Sequence, residues 1–487
     1  MLPRPLLRFA PIALACIPGV THAQAASHGR PAFTPERYDE DWSFLRDRSR
    51  RADLFDPIKW IPLGKGGAWF LTFGGEVRER FQDVRNPAFG LPSPVRNTDV
   101  FHRTYLFADV HLGHFRTFVE LVNGETRGTT KKPSTFEQDP FDLLQAFADV
   151  FAALGNGEAI TLRVGRQEMV LGSARLVSLR EAPNVRRAFD GARALWTAGT
   201  GKRIDAFIVR PVTPRLGVFD DVADRTQLFW GVYSSRQVPS IKGLSLDLYY
   251  LGLDRKGGQF AQGLARERRH TLGARFFGKR AGFDWDVEPF SFDSPNSAEV
   301  ESRFDWDVEP AVQFGSFGAA KINAWMVSSS WGYTFLQLRY SPRFGLKADV
   351  ASGDRNLQDN KLGTFNPLFP ALLYYSPVRL FEPANLSNVQ PNVGVVLGKG
   401  VTANAAWSAL WRESKADAFY APPLVPVSGT VKSDRFIGQQ TSVNLAWKAT
   451  RHLTIAGNYT HFLPRGSVRQ VGGRSGDYFL ALAQFKF

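Results

Sequence analysis

LTFGGEVRERFQ, Leu71 to Gln82, has two different faces when it is read as a strand. Leu71, Phe73, Val77 and Phe81 fall on one side, and Thr72, Glu76, Arg78, Arg80 and Gln82 on the other, because successive side chains of a strand point to opposite faces. The contrast between the faces is that of lipid against water. The period-two pattern recurs in TYLFADVHLG (from Thr104), FRTFVELVNG (from Phe115), LLQAFADVFA (from Leu143), KRIDAFIVR (from Lys202), QLFWGVYSS (from Gln227), LSLDLYYLGL (from Leu244) and HTLGARFFG (from His270). It continues through INAWMVSSSWGY (from Ile322), FGLKADVASG (from Phe344), VTANAAWSALW (from Val401), TSVNLAWKA (from Thr441) and LTIAGNYTHF (from Leu453). Tight polar turns such as Lys448 to His452 alternate with long Pro-, Asp- and Asn-rich stretches, the asymmetry of outer-membrane barrels. The chain from Trp69 onward is long enough for an even count of roughly 14 to 20 strands at about 10 residues each. The expected fold is therefore all-β: a transmembrane antiparallel barrel over residues 69–487.

The chain end agrees. DYFLALAQFKF puts Phe479, Ala481, Ala483, Phe485 and the terminal Phe487 on one face and Leu480, Leu482, Gln484 and Lys486 on the other. A last strand ending on Phe resembles the signal by which bacterial outer-membrane barrels engage their insertion machinery.

Composition narrows the class further. Among 487 residues there are 40 Phe, 12 Tyr and 12 Trp, yet beyond the first 25 no window is apolar for the roughly 18 residues of a spanning helix. Aromatic richness without long apolar runs suits a wall in which only every second residue meets lipid. A secreted β-sandwich or solenoid is the bland alternative. The N-terminus reads as a secretory signal over residues 1–25, with Arg4 and Arg8, an apolar run from Phe9 to Val20, and small residues near Ala23 and Ala25. Cys16, the only cysteine, lies within it, so a mature chain has no disulfide. Residues 26–68 are polar and are expected to form a periplasmic extension, with Trp42, Phe44 and Leu45 as anchors. A formal charge of +14 points to an anionic cargo.

The cationic centre is LRVGRQEMVLGSARLVSLREAPNVRRAFDGAR, Leu162 to Arg193. Seven arginines, Arg163, Arg166, Arg175, Arg180, Arg186, Arg187 and Arg193, face three acids, Glu168, Glu181 and Asp190. Arginines at this density need water or anions on one side, which a strand, loop and strand lining a wet passage supply. A nucleic-acid patch of this basicity more often sits on a helix or beside stacking aromatics, and no nucleic-acid partner is expected. With Arg78, Arg80, Lys347 and Arg355 these arginines are the candidate pore lining. Guanidinium replaces the hydration of a carboxylate with paired, charge-assisted hydrogen bonds, and several weak sites in series permit transit. Parity does not turn both Arg163 and Arg166 inward without a bulge, so one is expected at a rim or paired with Glu168.

That block, with SGDRNLQDNKLGTFNPLFP (Ser352 to Pro370) and FEPANLSNVQP (Phe381 to Pro391), resembles the alginate export family of bacterial outer-membrane proteins, from about Arg37 to Phe487. The resemblance implies a monomeric barrel of eighteen strands with an electropositive, arginine-lined constriction through which a polyuronate is secreted. Two alternatives stay open: an uptake porin for small anionic or aromatic acids, and an enzyme embedded in a barrel. The last would need a convergent Ser/His or Asp/His group, and no such spacing is present. No cofactor or metal is expected: Asp354 and Asp359 lack the ordered ligands of a calcium loop, and the histidines show no metal spacing.

FDWDVEP occurs twice, at Phe283 to Pro289 and at Phe304 to Pro310. One extra pass would invert every later strand, so only the second copy is expected to span. The Pro-rich segments Phe365 to Pro391 and Ala421 to Pro426 fit either a plug inside the bore or loops outside it.

Overall fold

The computed structural model describes residues 30–64, 67–91, 95–130, 132–198, 201–241, 243–278 and 304–487. The signal segment 1–25, Cys16 and the first FDWDVEP copy lie outside the described residues. Alternation carries through the described chain. Its first half supplies β1 (Trp69–Arg85), β2 (Arg96–Leu112), β3 (Phe115–Gly128), β4 (Asp139–Gly155), β5 (Glu158–Glu168), β6 (Ala188–Ala198), β7 (Lys202–Thr213), β8 (Gln227–Gln237) and β9 (Leu244–Phe260). The second half supplies β10 (Gly263–Gly278), β11 (Phe304–Phe317), β12 (Ala320–Thr334), β13 (Arg343–Ala351), β14 (Leu386–Gly398), β15 (Val401–Trp411), β16 (Phe436–Lys448), β17 (Leu453–Pro464) and β18 (Gly476–Lys486). Each pairs antiparallel with its neighbour, and β18 returns to β1, from Glu76↔Lys486 to Arg85↔Asp477. The sheet thus closes as an eighteen-strand barrel with no free wall strand. No helix among the described residues is long and apolar enough to cross a membrane.

The faces separate as the period requires. On β1, Thr72, Glu76, Arg78 and Arg80 are buried inside, whereas Phe73 and Phe81 are 41% and 38% exposed outside. On β18, Leu480, Leu482 and Gln484 point in and Phe479 points out. The outer skin of Leu106, Val164, Ile208, Val312, Trp325, Leu445 and Phe479 is exposed. In water each such side chain would forgo about 1.5–3 kcal/mol of burial; in hydrocarbon the arrangement is stable. Phe304, Trp331, Tyr333, Phe335 and Phe344 cluster at one end of β11 to β13, as an interfacial girdle does.

The second FDWDVEP copy opens β11, as expected. At one end of the barrel the described connections are mostly tight, including 113–114, 156–157 and 399–400; at the other, 169–187, 352–385 and 412–435 are long. The long-loop end is the extracellular one. The segment from Arg30 to Gly64 is built of short 3-10 turns and a one-turn helix, Asp56–Lys59. It sits at the tight-turn end, where Arg37 donates to the carbonyls of Gly75 (3.1 Å) and Phe487 (2.9 Å). Trp42, Leu45 and Trp60 pack together there, with Phe44 against them. Tyr38 projects further into the bore, its hydroxyl donating to the Glu168 carbonyl at 3.1 Å and its ring lying edge-on to Phe118 and Phe147.

Candidate functional site

After Glu168 the chain leaves the wall. Residues 169–187 cross the bore and return to β6, and each arm is tied to an opposite side of the barrel. On the first arm, Arg175 Nη1 donates to Asp307 (2.6 Å) and Glu309 (2.8 Å) of β11, and Nη2 to the Tyr374 hydroxyl (3.1 Å). Ser173 also donates to Glu309, at 2.7 Å. On the second arm, Glu181 holds Arg103 of β2 and Arg186 of the loop itself. Its carbonyl and those of Ala182 and Pro183 accept from Arg78 at 2.9, 3.2 and 2.8 Å. Strands β2 and β11 stand halfway round an eighteen-strand wall, so the loop is a cross-brace. Its ties are buried ion pairs in which every charge has a partner, the condition under which such pairs persist in a low-dielectric interior.

A second inward segment lies on the first. The Ser178 amide donates to the Phe369 carbonyl (3.0 Å), and the amides of Phe369 and Ala371 to the carbonyls of Leu176 and Ala174 (2.9 Å each). Phe365 and Phe369 join Met169, Leu171, Val177, Phe189 and Phe229 in an apolar cluster inside the wall. Of the two placements open for Phe365 to Pro391, the first part thus lies inside the bore, while Leu386–Gly398 is a wall strand. Tyr420–Ala421 pairs with Val425–Pro426 as a small hairpin, whose Leu424 is buried beside Phe260 and Phe317.

The candidate lining residues fall into distinct groups. Arg78, Arg80, Arg163, Arg175, Arg186 and Arg193 are buried with carboxylate or carbonyl partners: Arg80 reaches Glu137 at 2.9 Å, Arg163 reaches Asp149 at 2.8 and 2.9 Å, and Arg193 reaches Asp205 at 2.9 Å. Lys347 donates to the Tyr374 carbonyl at 3.3 Å and lies over that ring. Arg355 is out in solvent, 3.6 Å from Glu413. Arg166 pairs with Asp190, 2.8 Å away, rather than with Glu168; the carboxylate of Glu168 faces Arg186 at 3.7 Å. Pairing on both sides of the strand runs past Gly165 without a register shift, so no bulge turns Arg166 inward beside Arg163.

Arg180 and Arg187 differ from the others. Both are half-buried in the cross-brace, and among the described residues neither has a carboxylate within ion-pair distance. Arg180, at φ +56, lies 3.8 Å over the Phe136 ring and makes one long bond, 3.4 Å, to the Val185 carbonyl. Arg187 donates to the Ser178 carbonyl at 3.3 Å and faces the Phe369 ring. Burial, then the charges of Arg187 and Arg379, holds Arg180 well below the usual guanidinium range, and burial, against the pull of the Glu382 carboxylate, pushes Arg187 down to about 10. Guanidiniums without an ion-paired carboxylate keep N–H groups that can donate to an anion.

Further arginines of the bore were not singled out from the sequence. Arg103, Arg269, Arg275 and Arg343 are buried and held by Glu76, Glu267, Asp307 and Asp305. The parity of FHRTYLF already turns Arg103 inward. At the extracellular rim, Arg85, Arg469 and Arg474 border a pocket of about 560 Å³ with Asn86 and Ser475. Asp354 is buried and caps its own turn through the Asn356 amide (3.0 Å), while Asp359 stays exposed.

A family model described as alginate export matches residues 70–481. No curated protein matches the sequence. Among solved structures, OccK11 (OpdR) of Pseudomonas aeruginosa is 13% identical with a TM-score of 0.53, over 86% of this chain and 96% of that one. OccK2 (OpdF) of the same organism is 11% identical with a TM-score of 0.55, over 85% and 97%. OccK2 (OpdF) has also been solved in complex with glucuronate, 10% identical with a TM-score of 0.54, over 85% and 98%. At these identities the likeness is one of fold.

Proposed function

The chain belongs to the alginate export family and is an outer-membrane channel, and from that premise we propose that its cargo is an acidic sugar of the uronate class. The reading is carried by Arg180 and Arg187, the guanidiniums of the cross-brace with no carboxylate within ion-pair distance. A carboxylate entering the neck exchanges hydration for their N–H groups. The basic rim pocket around Arg469 and Arg474 offers an earlier, weaker stop, and weak stops in series favour passage over trapping. Arg78, Arg80, Arg163, Arg175, Arg186, Arg193 and Lys347 then contribute a fixed field from behind their partners and hold the neck in shape. The segment from Arg30 to Gly64 lies at the periplasmic mouth and narrows it, reaching into the bore through Tyr38.

Family membership favours polyuronate export. The bore crossed by 169–187 and the fold shared with Occ porins, one of them holding glucuronate, favour monomers or short oligomers. In planar bilayers the protein is expected to conduct with anion preference, read from the reversal potential under a salt gradient, and to be interrupted by glucuronate. Polyuronate blocking at lower concentration than the monomer supports the export reading. Absence of conductance, or cation preference, overturns the proposal.

A further inference from the structure

Where β5 leaves the wall early, its neighbour β4 is left with an unpaired edge. Pairing between them begins at Ala146↔Arg166, so residues 139–145 have no partner on β5. An exposed edge of this kind is a liability, and the connection between β7 and β8 covers it. Phe141 and Val218 form a parallel bridge, the Phe219 amide donates to the Phe141 carbonyl at 3.1 Å, and the two Phe rings meet edge to face. Asp142 Oδ2 accepts from the amides of Asp220 (2.7 Å) and Asp221 (3.1 Å), and Arg166 donates to the Asp221 carbonyl at 3.1 Å.

This strap brings three carboxylates together. One oxygen each from Asp139, Asp142 and Asp221 lies within 4.8 Å of the others. Asp139 is fully buried, and neither of its carboxylate oxygens has a hydrogen-bond partner. A carboxylate stripped of water with nothing to replace it costs several kcal/mol, and here two more stand beside it. The guanidinium that approaches, Arg166, is turned to Asp190 through Nε and Nη2 at 2.8 and 3.1 Å. A cation among the three would supply the partner that the protein does not. Three carboxylates in a cage made by the protein suit calcium, which takes six to eight oxygens in flexible geometry, better than magnesium, which keeps its waters.

We propose that Asp139, Asp142 and Asp221 form a calcium site that clasps the β7–β8 strap to the open edge of β4 at the extracellular rim. The site stands apart from Arg180 and Arg187 and holds whatever the cargo is. Asp139→Asn removes a charge whose oxygens make no protein hydrogen bond, so the fold tolerates it better than a change at Asp142, whose oxygens cap the strap.

The test uses full-length protein refolded into detergent without lipopolysaccharide, stripped with EDTA and titrated with calcium chloride and, separately, magnesium chloride in a calorimeter. The expected result is one calcium per chain, weaker magnesium binding, and a thermal midpoint raised by calcium. Asp139→Asn is expected to weaken calcium binding at least tenfold and to abolish the shift. If that variant does not refold, Asp221→Asn is read in the same way. No saturable calcium binding by the wild type, or equal binding by the variants, overturns the proposal.

Discussion

The two arms of the cross-brace use the same residue type for different ends. On the first, Arg175 is buried and held by Asp307, Glu309 and Tyr374. On the second, Arg180 and Arg187 rest on rings and backbone carbonyls, half-open to the bore. A guanidinium among carboxylates is a fastener; one without them keeps N–H groups that an arriving carboxylate can take up. Local partners, not arginine content, separate the two arms.

The largest effect expected from breaking this contrast is at the fastener. Arg175→Met leaves Glu309 and Asp307 buried with fewer donors, a loss of about 3–5 kcal/mol for a severed buried pair. Thermal unfolding should show a lower midpoint, and single-channel records larger, noisier openings as the arm comes loose. A variant as stable and as quiet as the wild type would mean that Arg175 is no anchor. Next in size, Arg180→Ala combined with Arg187→Ala should move the reversal potential toward zero while stability changes by no more than about 1 kcal/mol. A large loss of stability with unchanged selectivity would exchange the roles of the two arms.

The smallest effect is a pH dependence. Burial pushes the Glu382 carboxyl up to about 7, against the pull of Arg187. Below that pH it is neutral in the folded protein and the charge of Arg187 is not offset; above it the carboxylate forms and weakens the positive field. Because the folded pKa is raised above that of the unfolded chain, folding takes up a proton between about 4.5 and 7, and the group favours the folded state more as pH falls through that window. Anion preference should be greater at pH 6 than at pH 8, and Glu382→Gln should flatten the change. An unaltered profile in that variant would remove Glu382 from the selectivity of the neck.

Much of the wall was legible because alternation is a local signal. Leu71 to Gln82 and Asp477 to Phe487 declare their lipid and bore faces residue by residue, and the second FDWDVEP copy occupies the strand expected of it. Strand β14 was hidden: LSNVQPNVGVVLG carries Asn388, Pro391 and Asn392, which read as a loop. Pro391, opposite Leu346, lacks the N–H a central strand ordinarily supplies. The arginine block was legible as cationic but not as paired. Glu76, Asp307, Glu309 and Asp205 lie far from it in the chain or were not among its acids, and only closure of the barrel brings them within reach. The carboxylate cluster at the rim escaped for the same reason. Asp139 and Asp142 open β4 and are separated from Asp221 by β5, the cross-brace, β6 and β7, and neither segment has metal-ligand spacing.

The chain by itself determined a closed antiparallel wall with a greasy outside and a charged inside, since a two-residue period is written in adjacent residues. Tertiary structure alone decided which guanidiniums keep a free charge. That depends on carboxylates delivered across the bore by strands halfway round the barrel, and a low-dielectric interior makes the presence or absence of one such partner decisive.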